Sequence, residues 1–575
     1  MRHFKHIISK SYAPQTVFWL ALFVLSFPNI CLSFTEQVPL ISRLTNVILP
    51  VSAYALALTA MRNTGRTVWV LFPLIFFSAF QIVLLYLYGH SVIAVDMFLN
   101  LLTTNAGEAM ELLDNLLPSI VFVILVYVPL LVLASVSAWK GLELDRRFMR
   151  RARFASVFGL AVGAACLFFS VNRGFIVRND LYPINVFYNV KLAIERTYAT
   201  AHYAETSRNF TFKAHPTHER SEREVYVLVI GETARAADFR LYGYRRNTTP
   251  RLSATKGLFV FSKVLTQSNT THKSVPMLIS AVSAVDYDNI YKQKGLITAF
   301  KEAGFHTVFF SNQLPNHSFI DFFGEEADEW KFIKETPNGR SRQTAAEAKE
   351  FYDGDLLPLI DKVLAKKRHK QLIVLHTYGS HFEYLKRYPE AMSHFRPDDA
   401  SEAEASNRPS LLNAYDNTIR YTDWFLGEVV RRVKGTRAMS ALLYTSDHGE
   451  NIFDDRRRLF LHASPIPSAF ELHVPFMVWL SPRYMAVQPA RSGILRSNEG
   501  KPVATNLSVF HTLIDLAGIR TPYFNSRNSV GDTAYMPRPY VYLNDHNEAI
   551  PLERMANSAE DVLYFRRAGI PFRGR

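Results

Sequence analysis

Cysteine is scarce. The 575 residues contain two, Cys31 and Cys166, and both fall inside long apolar stretches. The part of the chain beyond those stretches is therefore expected to fold without disulfides, even in a compartment that would permit them. The stretches themselves lack charge: 11–35, 44–61, 67–89, 116–139 and 154–172 hold no Asp, Glu, Lys or Arg. A transporter or receptor marks its polar path with ionisable residues inside the spans, so their absence argues against that class. Internal repeats and low-complexity segments are missing as well.

Apolar length and charge asymmetry are what the chain does have. Each of the stretches is about as long as a helix needs to cross the hydrocarbon core. A cleaved signal peptide is the competing account of the first, but further spans come after it and no small-residue cleavage site does. Basic residues cluster at the N-terminus (Arg2, Lys5, Lys10), at Arg62 and Arg66, and in the loop from Lys140 to Arg153. By the positive-inside rule these segments face the cytoplasm, so five crossings leave everything after Arg173 on the far side. The formal net charge is +14. On an exported domain it suits an anionic lipid surface, and no nucleic-acid partner is expected.

The spacing of apolar residues divides the chain into a five-helix membrane domain (1–172), an interfacial connector (173–222), a catalytic domain (223–545) and a C-terminal tail (546–575). The connector carries an aromatic, partly amphipathic stretch suited to the membrane interface or to packing on the next domain. From Glu224 onward, short apolar runs at 225–230, 308–310, 372–375, 441–444 and 476–480 read as strands. Helical patterns lie between and after them at 296–303, 344–367, 411–433 and 508–517. Near-continuous apolar strands alternating with amphipathic helices indicate an α/β domain whose mostly parallel sheet is covered on both faces. In such a sheet, ligands bind beyond the carboxyl ends of the strands.

Three strands deliver chemistry to that edge. Gly231-Glu232-Thr233 comes after the first, His376-Thr377-Tyr378-Gly379-Ser380-His381 after the third, and Thr445-Ser446-Asp447-His448-Gly449-Glu450 after the fourth. A carboxylate next to an imidazole supplies one hard and one borderline ligand, a mixture that suits zinc. An isolated Asp-His pair is more often a cap or ion-pair partner, but Glu232 at a neighbouring strand end favours the metal. The polar loop 266–276 offers hydroxyls that such a metal would activate. Ser268, Thr270, Thr271 and Ser274 all qualify, and spacing does not choose among them. Ser274 is also a candidate helix N-cap before the apolar run 275–279.

The segment Val229-Ile230-Gly231-Glu232-Thr233-Ala234-Arg235, with Leu241-Tyr242-Gly243-Tyr244 and Asn247-Thr248-Thr249-Pro250, resembles the phosphoethanolamine transferases of Gram-negative bacteria. These belong to the alkaline-phosphatase/sulfatase superfamily. The resemblance continues, in order, through Ser274-Val275-Pro276, Leu375–His381, Lys386-Arg387-Tyr388-Pro389, Tyr415-Asp416-Asn417, Ser446–Glu450, Leu461-His462 and His473-Val474-Pro475. It implies zinc held by Glu232, Thr271, Asp447 and His448, with Thr271 as nucleophile. One zinc is tightly bound, and a second arriving with substrate is the open alternative. It further implies that His381 and His462 contact the transferred phosphate or a second metal, and that His376 belongs to the substrate pocket. Asn105 and Glu108 would contribute to headgroup recognition, and Lys273 would stabilise the phosphoryl oxygens.

The implied protein sits in the bacterial inner membrane with its catalytic domain in the periplasm, and a monomer is expected. Thr271 takes phosphoethanolamine from phosphatidylethanolamine and passes it to lipid A, lipopolysaccharide core or another envelope glycan. His381 or His462 protonates the departing oxygen or activates the acceptor. A phosphoglycerol transferase and a phosphodiesterase or sulfatase-like hydrolase are the alternatives. Leu278 stands where a type I sulfatase needs arginine, which argues against the last. The chain also departs from the family pattern. Gln267 and Met277 occupy places where cysteines often flank the nucleophile, His272 comes next to Thr271 where a small residue is usual, and Phe382 stands where glycine is common.

Overall fold

The computed structural model describes residues 12–36, 38–88, 92–103, 106–218, 221–334, 351–400, 404–464, 466–555 and 557–572. They divide into two units, the first of residues up to 102 and 108–196, the second of 103–107 and residues from 197 onward.

The first unit is helical. Its elements are α1 (Pro14–Thr35), α2 (Leu40–Leu58), α3 (Thr64–Val70), α4 (Phe72–Tyr88), α5 (Val95–Thr103), α6 (Ala106–Trp139) and α7 (Arg146–Val171), and then α8 (Ile184–Ala201). Among the described residues, α1, α2, the 117–139 part of α6, and α7 are long and apolar enough to cross a membrane. The expected span at 67–89 is instead divided between α3 and α4, which meet at a 65° bend and make a fifth crossing only if taken together. The break falls at Leu71, just before Pro73. Proline lacks an N–H and its ring clashes with the preceding turn, so it is better tolerated in the first turn of a new helix than inside an old one. Polar side chains in this unit satisfy backbone groups. The Asn29 amide donates to the carbonyls of Asn46 (2.8 Å) and Tyr182 (3.0 Å), and Asn46 donates to that of Asp180 (2.9 Å).

Residues 173–222 are shared between the units. Tyr182 and Val186 pack with Leu32, Leu84 and Ile93 in the first, whereas Tyr203 and Phe212 enter the core of the second.

The second unit is built on a seven-stranded sheet. Its strands are β1 (Glu224–Gly231), β2 (Leu258–Phe261), β3 (His306–Ser311), β4 (Glu329–Phe332), β5 (Lys370–His376), β6 (Met439–Ser446) and β7 (Phe476–Leu480), in the spatial order β2-β7-β6-β1-β5-β3-β4. Strands β6, β1, β5, β3 and β4 run parallel, and β7 is antiparallel to both β6 and β2. The expected mixed, mostly parallel sheet is therefore present. Edge strands β2 and β4 were not legible, because each is four residues long and partly exposed.

Alternate residues of β1 serve two cores. Tyr226, Leu228 and Ile230 lie in one with Phe300 and Leu513; Val225, Val227 and Val229 lie in the other with Ile360 and Val429. The helices concerned are α9 (Thr271–Leu278), α10 (Leu296–Glu302), α11 (Leu357–Ala365), α12 (Arg408–Gly435) and α13 (Thr505–Leu516). The helical pattern expected over 344–367 contracts to α11, with one 3-10 turn before it at Asp353–Leu356; 344–350 lie outside the described residues. Pro358 is admissible only in a first turn, which sets the start of α11.

Residues beyond 546 also pack into this unit. Helix α14 (Ala559–Arg567) buries Phe565 against Leu472, Tyr540 and Leu552, and Asp561 accepts both terminal nitrogens of Arg457 at 2.7 and 2.9 Å.

Register explains where the site forms. Ile230 in β1 pairs with His376 in β5 and with Thr445 in β6, and Gly231 pairs with Ser446. The three strands end level, so the residues immediately beyond them emerge together.

Candidate active site

Glu232 leaves the end of β1, and Asp447 and His448 leave the end of β6. The ligand atoms of these three buried residues all lie within 4.8 Å of one another, as expected of a metal-binding group. Thr271, the first residue of α9, completes the cluster. Its hydroxyl oxygen lies 3.1 Å from His448 Nε2 and 3.2 and 3.3 Å from the two oxygens of Glu232.

This geometry separates the four candidate hydroxyls. Ser268 and Thr270 bond to each other at 3.1 Å, and Ser274 donates to the backbone carbonyl of Asp447 at 2.7 Å. Only Thr271 among them reaches Glu232 and His448. The helix starts earlier than the Ser274 cap expected from sequence, because Thr270 already occupies the N-cap position in extended backbone.

The donor set fits a divalent metal. His448 Nδ1 lies 2.9 Å from the Gly449 carbonyl oxygen and donates to it, which leaves Nε2 as a lone-pair donor facing the cluster. Asp447 Oδ1 accepts from the N–H groups of Thr233 (3.1 Å) and His448 (2.7 Å). Its buried Oδ2 accepts no hydrogen bond among the described residues. Burial, with Glu232 beside it, pushes the Asp447 carboxyl well above its ordinary range. Burial also depresses His448 to about 3. Two carboxylates and an imidazole packed this way turn their lone pairs toward one another, and a divalent ion would offset the negative charge they gather.

Residues not singled out from sequence orient these candidate ligands. Glu232 accepts Thr233 Oγ1 at 2.8 Å on one oxygen and Gln313 Nε2 at 3.0 Å on the other; Gln313 Nε2 also lies 3.0 Å from the Thr377 carbonyl. The loop after β5 lies directly on the Glu232 backbone. Ser380 N–H donates to the Glu232 carbonyl at 2.9 Å, and Gly379, at φ +48°, passes so close that a Cβ there would stand 2.6 Å from that oxygen. The Tyr378 and Gly379 N–H groups are held by buried Asp353 at 2.8 and 3.1 Å.

Two expected histidines join the cluster. The ring of His462 lies 4.3 Å from that of His448 and 5.8 Å from that of His381, centroid to centroid. His462 Nδ1 bonds Glu450 Oε2 at 3.2 Å, and Glu450 also accepts the Tyr384 hydroxyl. His381 Nδ1 donates to the Phe382 carbonyl at 2.6 Å, and Arg387 donates to the carbonyls of both His381 and Phe382 at 2.9 Å. Burial depresses His381 to about 4.

Other expected residues stand elsewhere. His376 is the last residue of β5, is buried, and bonds Ser311 Oγ at 3.2 Å, inside the sheet rather than on the loop beyond it. Lys273 lies two positions after Thr271, a spacing at which helix side chains do not face each other. Its ammonium donates to the Asn544 carbonyl at 3.0 Å. Asn105 lies outside the described residues, as does the side chain of Glu108 in α6.

A family model described as Sulfatase matches residues 224–519. Over 369 residues the chain is 26% identical to the Kdo(2)-lipid A phosphoethanolamine 7''-transferase of Escherichia coli K12, covering 61% of each protein. The chain spans about three fifths or less of the length of the curated relatives it matches. Among solved structures, the integral membrane lipooligosaccharide phosphoethanolamine transferase A of Neisseria meningitidis superposes with a TM-score of 0.69 at 21% identity, covering 90% of this chain and 99% of that one. The C-terminal periplasmic domain of EptC from Escherichia coli, solved in complex with Zn, superposes with a TM-score of 0.52 at 24% identity, covering 59% of this chain and 96% of that one. At these identities the likeness to both structures is one of fold.

Proposed function

Because this chain belongs to the sulfatase family, we propose that its cluster serves a membrane-anchored transferase. The enzyme moves phosphoethanolamine from phosphatidylethanolamine to lipid A or lipopolysaccharide core, through a covalent intermediate on Thr271. The anchor lies in the bacterial inner membrane and the catalytic unit in the periplasm. The observation that carries this reading is the placement of the Thr271 hydroxyl 3.1 Å from His448 Nε2 and within 3.3 Å of the Glu232 carboxylate. Similarity to a protein named for phosphoethanolamine transfer to lipid A supports the cargo and the acceptor. The apolar helices support the setting, since a lipid donor is best met at a membrane.

Glu232, Asp447, His448 and Thr271 would hold the metal, and a zinc complex of a protein with this fold supports zinc. When bound, such an ion lowers the pKa of a hydroxyl and offsets negative charge on phosphoryl oxygens. Thr271 Oγ attacks phosphorus, the bond from phosphorus to the diacylglycerol oxygen breaks, and that oxygen takes up a proton. An acceptor oxygen then attacks the same phosphorus, loses its proton, and returns the Thr271 hydroxyl. His462, whose ring lies 4.3 Å from that of His448, and His381, 5.8 Å from His462, would hold those protons. Gln313 and Thr233 keep the Glu232 carboxylate turned toward Thr271.

The decisive experiment is mass spectrometry of envelope lipids and glycans from cells with and without the protein, alongside Thr271→Ala. A phosphoethanolamine increment on a defined acceptor, present with the wild type and absent with the variant, is expected. No increment on any envelope component would overturn the reading.

A further inference from the structure

The two ends of the Thr271 loop meet on one side chain. Val264–Leu265 pairs in parallel with Val503–Ala504, so the two segments run level, the first into the loop and the second into α13. Asn506, in the first turn of α13, consequently lies against both ends of the loop. Its Oδ1 accepts the Gln267 N–H at 2.6 Å and lies 3.0 Å from the Thr266 hydroxyl; its Nδ2 donates to the Ser274 carbonyl at 3.0 Å and the Ser274 hydroxyl at 2.9 Å. The hydroxyls of Thr266 and Ser274 each lie 2.7 Å from the backbone carbonyl oxygen of Asp447. One amide therefore bridges residues on either side of Thr271, and those residues rest on the backbone of a metal-ligating position.

The chemistry of the site calls for asparagine. Oδ1 must accept while Nδ2 donates. Aspartate would supply no donor, and alanine would supply neither. Asn506 is only 2% exposed, so water does not replace a lost partner and each broken bond leaves a desolvated polar group. No disulfide brackets the loop, since Cys31 and Cys166 both lie in the helical unit.

We propose that Asn506 is a positioning residue for Thr271: it closes the loop 266–274 without a covalent bond and holds the Thr271 hydroxyl against Glu232 and His448. This rests on the reading of Thr271 as the reacting, metal-contacting hydroxyl. A displacement of about 1 Å at a reacting group can cost about 10²-fold in rate.

The test uses the full chain in detergent, with zinc affinity measured by competition against a chelator and headgroup transfer measured separately. Asn506→Ala and the isosteric Asn506→Asp are each expected to lower zinc affinity about tenfold, and kcat about 10²-fold with KM little changed. In a Thr271→Ala background the same substitutions should add no further loss of zinc affinity, because the residue they position is gone. Asn498→Ala is the control. That buried amide donates to the Val530 and Asp532 carbonyls at 2.9 and 3.1 Å, so its loss should lower thermal stability while leaving zinc affinity and kcat unchanged. Equal zinc loss with and without Thr271, or a loss that Asn498→Ala reproduces, or no change in either readout, would overturn the proposal. A wild type that shows the coupling in zinc affinity but transfers no phosphoethanolamine would defeat the functional reading and leave the positioning role standing. A zinc affinity that Thr271→Ala does not move would defeat both.

Discussion

The Thr271 hydroxyl and His448 Nε2 lie 3.1 Å apart across 177 residues of chain. One stands at the start of a helix and the other just past the end of a strand. The contact exists because β1 and β6 end level and α9 begins over that end. Thr271→Ala should lower headgroup transfer by about 10³-fold or more, the scale on which loss of an activated nucleophile is felt. Thr271→Ser keeps the hydroxyl and should retain most of the activity. An alanine variant as active as wild type would remove Thr271 from the chemistry.

Gly379 is held in left-handed backbone directly over Glu232. Gly379→Ala places a methyl 2.6 Å from the Glu232 carbonyl oxygen, so the loop must lift. The strain and displacement together should cost about 1–3 kcal/mol of stability. Because the loop that lifts rests on Glu232, a proposed zinc ligand, zinc affinity should fall with it. Thermal unfolding and zinc competition on the same preparation separate the two effects. Unchanged zinc affinity would show that the loop does not set the ligand.

Arg235 is buried between Asp238 and Asp454, with Asp454 at 2.6 Å, and its guanidinium also lies over the rings of Tyr415 and Phe470. It ties the segment after β1 to the loop after β6, the two segments that carry Glu232 and the Asp447-His448 pair. Arg235→Met leaves buried Asp238 without its cation and Asp454 with Arg408 alone, at 3.1 Å, which should destabilise the protein by about 3–5 kcal/mol. The check is the shift in apparent unfolding free energy. A change within about 0.5 kcal/mol, as at an ordinary surface site, would contradict it.

Asp321 gives a pH dependence away from the cluster. Burial raises its carboxyl from 3.8 to about 6, against the pull of the Asn316 and His317 N–H groups. A carboxyl with a raised folded pKa binds its proton more tightly when folded. Its contribution is therefore greatest below the unfolded value and is lost as pH rises from about 4 through about 6. Both N–H groups bond the same oxygen, at 2.7 and 2.6 Å, and an asparagine carbonyl can accept both. Asp321→Asn should then gain stability over the wild type by up to about 3 kcal/mol as pH rises through that window, and little below it. Denaturation of both proteins at pH 4 and pH 7 measures the difference. A difference independent of pH would refute the assignment.

Much of this was legible because it is local. The strands β1, β5, β6 and β7 announce themselves as apolar runs, and Glu232, Asp447 and His448 come directly after two of those runs. The bend between α3 and α4 was not legible in the same way, although Pro73 is its local sign; an apolar count passes over a proline. Nor were Gln313 and Glu450 assigned roles. Gln313 meets Glu232 across 81 residues and Glu450 meets Tyr384 across 66. Their chemistry is a matter of which loops converge.

The charge-free apolar lengths, the alternation of strand and helix, and the carboxylates and imidazole at the strand ends are legible in the chain alone. Each depends on residues close together in the chain, where hydropathy and spacing act. Which of Ser268, Thr270, Thr271 and Ser274 faces Glu232 and His448, the contact of Lys273 with Asn544, and the bonds of Asn506 to both ends of the loop arise in tertiary packing alone. Those outcomes depend on strand register and on where α9 and α13 begin over the sheet. A hydroxyl and an imidazole 177 residues apart acquire a distance only once that register is set.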